Sequence, residues 1–305
     1  MEYFSLMKFL ILALPLLFLS ACQPSKVTIS YKLDQPIHLE LMHNGYYSTM
    51  GGDLEEMGTI TQIYMNQDFL ESQGRLIMDS KFQIARNKGY HKNSMPEELA
   101  LQCDHIIQSE QGQVVSISGF NDFVTKVVNM LNIPDKWKFQ LRQSNYPNLF
   151  DRIAKKRWDI NHLLEGTYPT SADITQQLAK EGRLKVQGIK IDSVKTGKLS
   201  TIDKRRCLAY TVWYTENQEF PEYLWEQYTY GTETGKAFKS YTPISGKVSS
   251  EYTTHIDIKN GVVCREMEKR SIVTSLEEKA TGRSEEFFSR VTFERLYTQR
   301  KLTEK

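Results

Sequence analysis

Val248-Ser249-Ser250-Glu251-Tyr252-Thr253-Thr254-His255-Ile256-Asp257-Ile258 is the stretch that decides how this chain folds. Val248, Tyr252, Ile256 and Ile258 share one parity, and Ser249, Glu251, Thr253, His255 and Asp257 share the other. Successive side chains of a strand point to opposite faces, so this period of two marks a strand with one packed face and one wet face. Asn260-Gly261 supplies a hairpin turn. The return strand carries Val263, Met267 and Val273 as its apolar residues. A last strand sets Phe287, Val291 and Phe293 against Glu286, Arg290 and Glu294. A sheet with one packed and one solvated face is antiparallel.

Working outward, strand patterns run back to Leu184, and aromatic residues concentrate there at Tyr210, Trp213, Tyr214, Tyr223, Trp225, Tyr228 and Tyr230. Tyr210, Trp213, Trp225 and Tyr228 are candidates to line a ligand cavity, with core packing as the alternative role. Residues 121–183 change character. Asn121 caps a helix bearing Phe123, Val124, Val127, Val128 and Leu131 that ends near Pro134. A second helix starts near Pro147 with Leu149, Ile153, Ile160 and Leu164 on one stripe. A third has Thr170 and Asp173 in capping-box spacing, Ile174 and Leu178 inside, and Gly182 as its stop.

Residues 37–120 are again strand-like. Ile37, Leu39 and Leu41 alternate with His38, Glu40 and Met42, Gly51-Gly52 breaks the pattern, and runs follow over Gly58 to Met65 and Leu76 to Ile84. Ser94 to Leu101 reads as a short helix with Pro96 in its first turn. A hairpin then runs from His105 to Glu110, turns at Gln111-Gly112 and returns through Val114 to Ile117. The order is strands, helices, strands, without strand-helix alternation. That predicts an α+β body in which a curved antiparallel sheet packs against a helical middle segment, 37–305 forming one compact unit. By element order it resembles the half-barrel folds of periplasmic lipoprotein carriers, which implies helices wrapped by the sheet around an apolar cavity.

The first 22 residues have their own logic. Lys8 precedes an apolar run from Phe9 to Leu19, and Ser20 and Ala21 follow it. The run is about half of the roughly 20 residues that a spanning helix needs, and it contains Pro15, so it reads as a signal peptide over residues 1–21. Met7-Lys8 is a start as suitable as Met1. Leu19-Ser20-Ala21-Cys22 resembles the lipobox of bacterial lipoproteins. The resemblance implies a diacylglyceryl group on Cys22, cleavage before it and acylation of its new amine in Gram-negative bacteria. Two acyl chains already anchor stably, so the partner expected at this end is a membrane. Gln23, where aspartate signals inner-membrane retention in that family, implies the outer membrane, facing the periplasm. Residues 22–36 then form the lipidated terminus and a polar stretch. Within it, Val27 to Leu33 serves as a spacer or as an edge strand, the spacer being preferred.

Composition excludes more than it assigns. The chain has 305 residues, 40% of them hydrophobic, enough for a substantial core. Its net charge of +2 is too small for general attraction to nucleic acid or anionic lipid, so charge names no partner and no nucleic acid partner is expected. Three cysteines remain besides Cys22. Cys207 and Cys264, both in strand-like runs, are the preferred pair for a disulfide in an oxidising compartment, the alternative being buried thiols. The six histidines stand at no metal-ligand spacing, and no serine-hydrolase elbow, phosphate loop or His-Glu-x-x-His is present. Lys195-Thr196-Gly197 lacks the companion Ser-x-x-Lys outside the signal. No catalytic residue, metal or cofactor is expected. The sequence predicts a non-enzymatic envelope lipoprotein that binds an apolar ligand or another envelope protein. An immunity or interaction lipoprotein acting through a surface, and a hydrolase of envelope material with an unrecognised site, are the alternatives.

Overall fold

The computed structural model describes residues 25–51, 54–72, 75–89, 98–99, 103–110, 113–119, 125, 146–218 and 239–299. The expected helix from Asn121 to Pro134, and the aromatics Tyr223, Trp225, Tyr228 and Tyr230, lie outside the described residues, as does Cys22.

Alternating sequences become long strands here because each strand pairs on both sides and its inward parity finds a common core. Strands β2 (Ile37–Gly51), β3 (Leu54–Ser72), β4 (Arg75–Gly89), β6 (Cys103–Glu110) and β7 (Gln113–Ser118) form the first half of the sheet. The two-residue β5 (Glu98–Leu99) pairs with β4. Strands β9 (Lys190–Ile202), β10 (Arg205–Gln218), β11 (Tyr241–Asp257), β12 (Val263–Glu278) and β13 (Ser284–Gln299) form the second half. The spatial order is β7-β6-β4-β3-β2-β13-β12-β11-β10-β9, with every pair antiparallel. The halves join where β13 lies along β2, Gln299 opposite Leu39 and Phe288 opposite Met50. Residues 37–120 and 184–305 therefore share one sheet.

The sheet is curved and open. At about 4.8 Å per strand, a flat arrangement would set β7 and β9 roughly 43 Å apart. Yet Val114 and Ile117 of β7 pack against the same apolar cluster that contains Val194 of β9. Helix α1 (Tyr146–Asn161) and the short helix α2 (Thr175–Lys180) come from the segment linking these two edges, and Trp158, Ile160, Leu163, Leu164, Ile174 and Leu178 are buried in that cluster. This is the expected α+β architecture, an antiparallel sheet bent around a helical middle segment.

Several local expectations change. The stretch Val27 to Leu33, preferred as a spacer, contains a docked strand: β1 (Lys26–Ile29) pairs with β8 (Gly166–Pro169) and buries Val27 and Ile29. Tyr31 continues the docking. Its hydroxyl donates to the Leu164 carbonyl at 2.6 Å, and its ring fills the space beside Gly261, whose φ of +72° suits a residue without Cβ. In the segment Ser94 to Leu101, read as a helix, Glu98–Leu99 is a strand opposite Ala85 and Arg86, where an open edge of β4 competes successfully with a weak capping signal. Of the stripe assigned to α1, Ile160 and Leu164 are buried while Ile153, two turns earlier on the same face, is 44% exposed, so the stripe packs only toward the C-terminal end of the helix. Thr170 and Asp173 do not form a capping box. Thr170 Oγ1 lies 2.9 Å from Ser25 Oγ, and Asp173 Oδ1 accepts from the Thr175 amide at 3.0 Å.

The largest correction concerns β12. Met267 and Val273, expected on the packed face, lie on the outer parity, while Glu266 and Glu268 are buried. The β11–β12 register decides this: Tyr252 faces inward, and Glu268 stands opposite it, with Glu266 opposite Thr254. Cross-strand neighbours share a face, so the inward parity of β11 carries both glutamates inside.

Candidate functional site: a polar seam beneath helix α1

The inner face of β10 to β13 mixes buried apolar side chains such as Leu208, Val212 and Ile256 with a continuous run of polar ones, and α1 lies against it. One row crosses the sheet through Tyr210, Thr254, Glu266 and Arg295, and another through Tyr214, Ser250 and Arg270. Helix residues Lys156, Arg157, Ile160 and Asn161 recur at three and four residues, so they share the face of α1 that meets these rows.

Glu266 is the centre of the seam, with its side chain fully buried. Arg157 Nε donates to Oε1 at 3.0 Å and Nη2 to Oε2 at 2.5 Å, a two-pronged pairing that fixes both groups in one plane. Arg295 Nη1 donates to Oε2 at 3.1 Å, and Asn161 Nδ2 donates to Oε1. Burial pushes the Glu266 carboxyl up, but Arg157 and Arg295 together outweigh it and hold the group at about 2. Arg157 also donates to the Tyr297 hydroxyl, and the Tyr252 hydroxyl donates to Asn161 Oδ1 at 3.1 Å. Tyr210 gives its hydroxyl to the Ile160 carbonyl at 2.7 Å, satisfying an acceptor in the last turn of α1. Burial raises the phenols of Tyr210 and Tyr252, which stay protonated as donors.

A second group lies further along the strands. Glu268 accepts from Arg270 Nε at 2.6 Å and from the Tyr214 hydroxyl at 2.5 Å. Lys156 Nζ reaches Glu216 at 2.6 Å and stands 5.8 Å from the centre of the Tyr214 ring. At the end of α1, His162 stacks on Trp158 at 3.9 Å between ring centres, with Tyr31 on its other side at 4.5 Å. Burial holds its imidazole down at about 4, so it is neutral at ordinary pH.

The aromatic candidates separate. Tyr210 is fully buried as a seam donor. Trp213 is on the outer face, with Lys195 Nζ 5.5 Å from its ring centre. Trp225 and Tyr228 lie outside the described residues. Tyr210 and Trp213 therefore do not line one cavity together. Cys207 and Cys264 are brought together at the β11–β12 hairpin end as buried, unbridged thiols. Cys207 Sγ donates to the Arg205 carbonyl at 3.5 Å and Cys264 Sγ to the Val262 carbonyl at 3.8 Å, and the interaction between the two thiols lowers the Cys207 thiol and raises that of Cys264.

Chemically, the seam is a clamp. A general acid or base works best near the operating pH, whereas Glu266 is ionised and saturated with donors. Among the described residues no group of three or more His, Cys, Asp or Glu side chains could hold a metal ion. Composition could not reveal the seam, since both parities of β12 are polar: Glu266, Glu268 and Arg270 on one, Arg265, Lys269 and Ser271 on the other. Counting from the Asn260-Gly261 turn does not find it either, because a register shift between His255 and Ile256 is what sets Glu268 opposite Tyr252.

The outer parity of β9 to β13 carries Lys195, Glu251, Lys269, Arg290 and Glu294 and is a water-facing surface, unlike the apolar outer band of a transmembrane barrel. Among the described residues no helix is long and apolar enough to cross a membrane.

No protein family matches the chain, and no curated protein matches its sequence. Among solved structures, a study of lipid-protein interactions in lipovitellin is similar over 90% of this chain at 5% identity, with a TM-score of 0.35. The chain spans about a quarter of that protein, 26% of its length. OmpF of Salmonella typhi, in complex with daunomycin, matches over 86% of this chain and 97% of its own at 5% identity and a TM-score of 0.23. OpdK of Pseudomonas aeruginosa, with vanillate, matches over 87% and 99% at 6% identity and 0.23. Likenesses this low carry no argument about the function of this chain.

Proposed function

We propose that this chain is a non-enzymatic lipoprotein of the bacterial cell envelope, tethered through Cys22 to the outer membrane on its periplasmic side, whose curved sheet binds an apolar ligand or another envelope protein. One observation carries the reading: the lipobox-like tetrapeptide ends at Cys22, and β1, the first described strand, starts only four residues later at Lys26 and is docked on β8. In this reading Cys207 and Cys264 close to a disulfide in the oxidising periplasm; peptide mapping without reductant would find the two peptides joined, and two freely alkylated thiols would dismiss it.

A surface-binding role is favoured by a different observation. Phe288 is 52% exposed and stands opposite Val273 on the outer face, and Ile244 is 55% exposed near the same end of the sheet. Paired apolar side chains on an otherwise charged face suit contact with a protein.

Metabolic labelling with a palmitate analogue tests the tether, the label appearing on the natural chain and vanishing in Cys22→Ser. Label retained by that variant would sink the anchor. Native mass spectrometry of the purified lipoprotein tests the cargo: a bound lipid mass supports the ligand reading, while bare protein together with loss of partner crosslinking in Phe288→Asp supports the surface reading.

A further inference from the structure

We infer that the surface carrying Lys26, Lys195 and Lys198 is the side of this protein that lies on an anionic phospholipid bilayer; the inference rests on the Cys22 anchor proposed above. The argument is one of reach. Three residue steps separate Cys22 from Ser25, so the anchored cysteine is at most about 11 Å from Ser25 along the chain. A short leash can swing freely only if the point where it meets the body is itself loose, and here that point is fixed. The Thr170 amide donates to the Ser25 carbonyl at 2.8 Å, the two hydroxyls meet at 2.9 Å, and Lys26 pairs with Pro169.

The fastening continues into the edge of the large sheet. Thr196 Oγ1 donates to the Pro169 carbonyl at 2.7 Å and accepts from the Ala172 amide at 3.1 Å, while the Ser171 amide donates to the Gly197 carbonyl at 3.0 Å. Lys195 and Lys198 flank this contact on β9, and both are exposed, as is Lys26. Among the described residues none of the three is in an ion pair. The acidic groups nearby include Asp173, which faces Lys195 across an isolated bridge, Asp192, held by Lys190 at 3.4 Å, and Glu251, opposite Trp213 and 3.8 Å from Lys269. Trp213, beneath Lys195, adds an amphipathic ring of the kind that suits the headgroup layer. Lysines within a Debye length of an anionic leaflet are attracted to it. A fixed exit point, a short leash and three exposed ammonium groups outside any ion pair among the described residues together orient the body.

The test uses the lipidated protein in vesicles of phosphatidylcholine alone or mixed with phosphatidylglycerol. Exposed lysines are acetylated with a water-soluble reagent and read by peptide mass spectrometry. On the mixed vesicles, Lys26, Lys195 and Lys198 should react at least about threefold more slowly than on phosphatidylcholine. Lys279, beyond the other end of β12, should react equally on both. In Lys195→Glu/Lys198→Glu, two exposed substitutions, Lys26 should regain its reactivity. Equal reactivity on both vesicles, with the acyl chains detected on Cys22, overturns the orienting surface and leaves the anchor standing. Absence of acyl chains on Cys22 overturns both.

Discussion

The two packed parts of the segment that bridges the sheet edges are held by different means. At α1 the apolar burial of Trp158 and Ile160 is joined by an ionic, directional contact, with Arg157, Asn161 and Arg295 gathered on the buried Glu266. Around β8 and α2 it is apolar: Tyr168, Ile174 and Leu178 pack with Ile29 and Val194, all of them buried. Apolar burial tolerates small shifts and rewards area. A buried charge network rewards only one geometry, because each unpaired member is costly. The comparison teaches that the apolar corner supplies attraction, while the seam fixes where the helix sits on a sheet whose strands could otherwise accept it at several registers.

The sharpest way to break this contrast is to remove Glu266. Glu266→Ala leaves the half-buried Arg157 and Arg295 without the carboxylate between them, and should cost about 3 kcal/mol in urea unfolding. A loss under about 1 kcal/mol would show that water reaches the seam. Leu178→Ala, at the fully buried centre of the apolar corner, should cost about 3 kcal/mol and leave the α1 contacts intact by hydrogen exchange. If α1 also loosens, the two regions are one cooperative unit.

Acid separates them next. The His162 imidazole is held at about 4 in the fold against 6.5 when free, so the unfolded chain binds the extra proton between those values. Stability should therefore fall as pH drops from 6.5 to 4, by up to about 3 kcal/mol. The Glu266 contribution is present above the free carboxylate value of 4.5 and is lost as pH falls from there toward 2. Melting curves across this range should show the first loss removed in His162→Phe and the second kept. The smallest effect is expected at the Lys155–Asp159 pair, which is 2.7 Å long on a wetter side of α1. Lys155→Ala should change stability by only about 0.3 kcal/mol, and added salt should erase even that. A salt-insensitive loss above about 1 kcal/mol would mean that the seam extends further around the helix than its contacts indicate.

The sequence made the sheet legible wherever one parity was apolar and the other was not. Val248, Tyr252 and Ile256 face inward as their spacing requires, and so do Ile37, Leu39 and Leu41. It failed where both parities are polar, as in β12, and where a short alternating stretch such as Lys26–Ile29, weighed as spacer or edge strand, pairs with a distant segment that no local pattern names. Trp213 was named for its ring alone, and ring identity does not say which face of a strand it occupies.

By itself the sequence determined the antiparallel class, the strand-helix-strand order, the hairpin turn at Asn260-Gly261 and the helix that follows Tyr146, because these depend on periodicity and turn chemistry within a few residues. Only the tertiary structure decided that β13 closes on β2, that Cys207 meets Cys264, and that two glutamates are turned inward under a helix. Those outcomes depend on register between distant segments, where a one-residue slip exchanges the two faces of a strand. A carboxylate is tolerated inside only because arginines from elsewhere in the chain arrive to meet it.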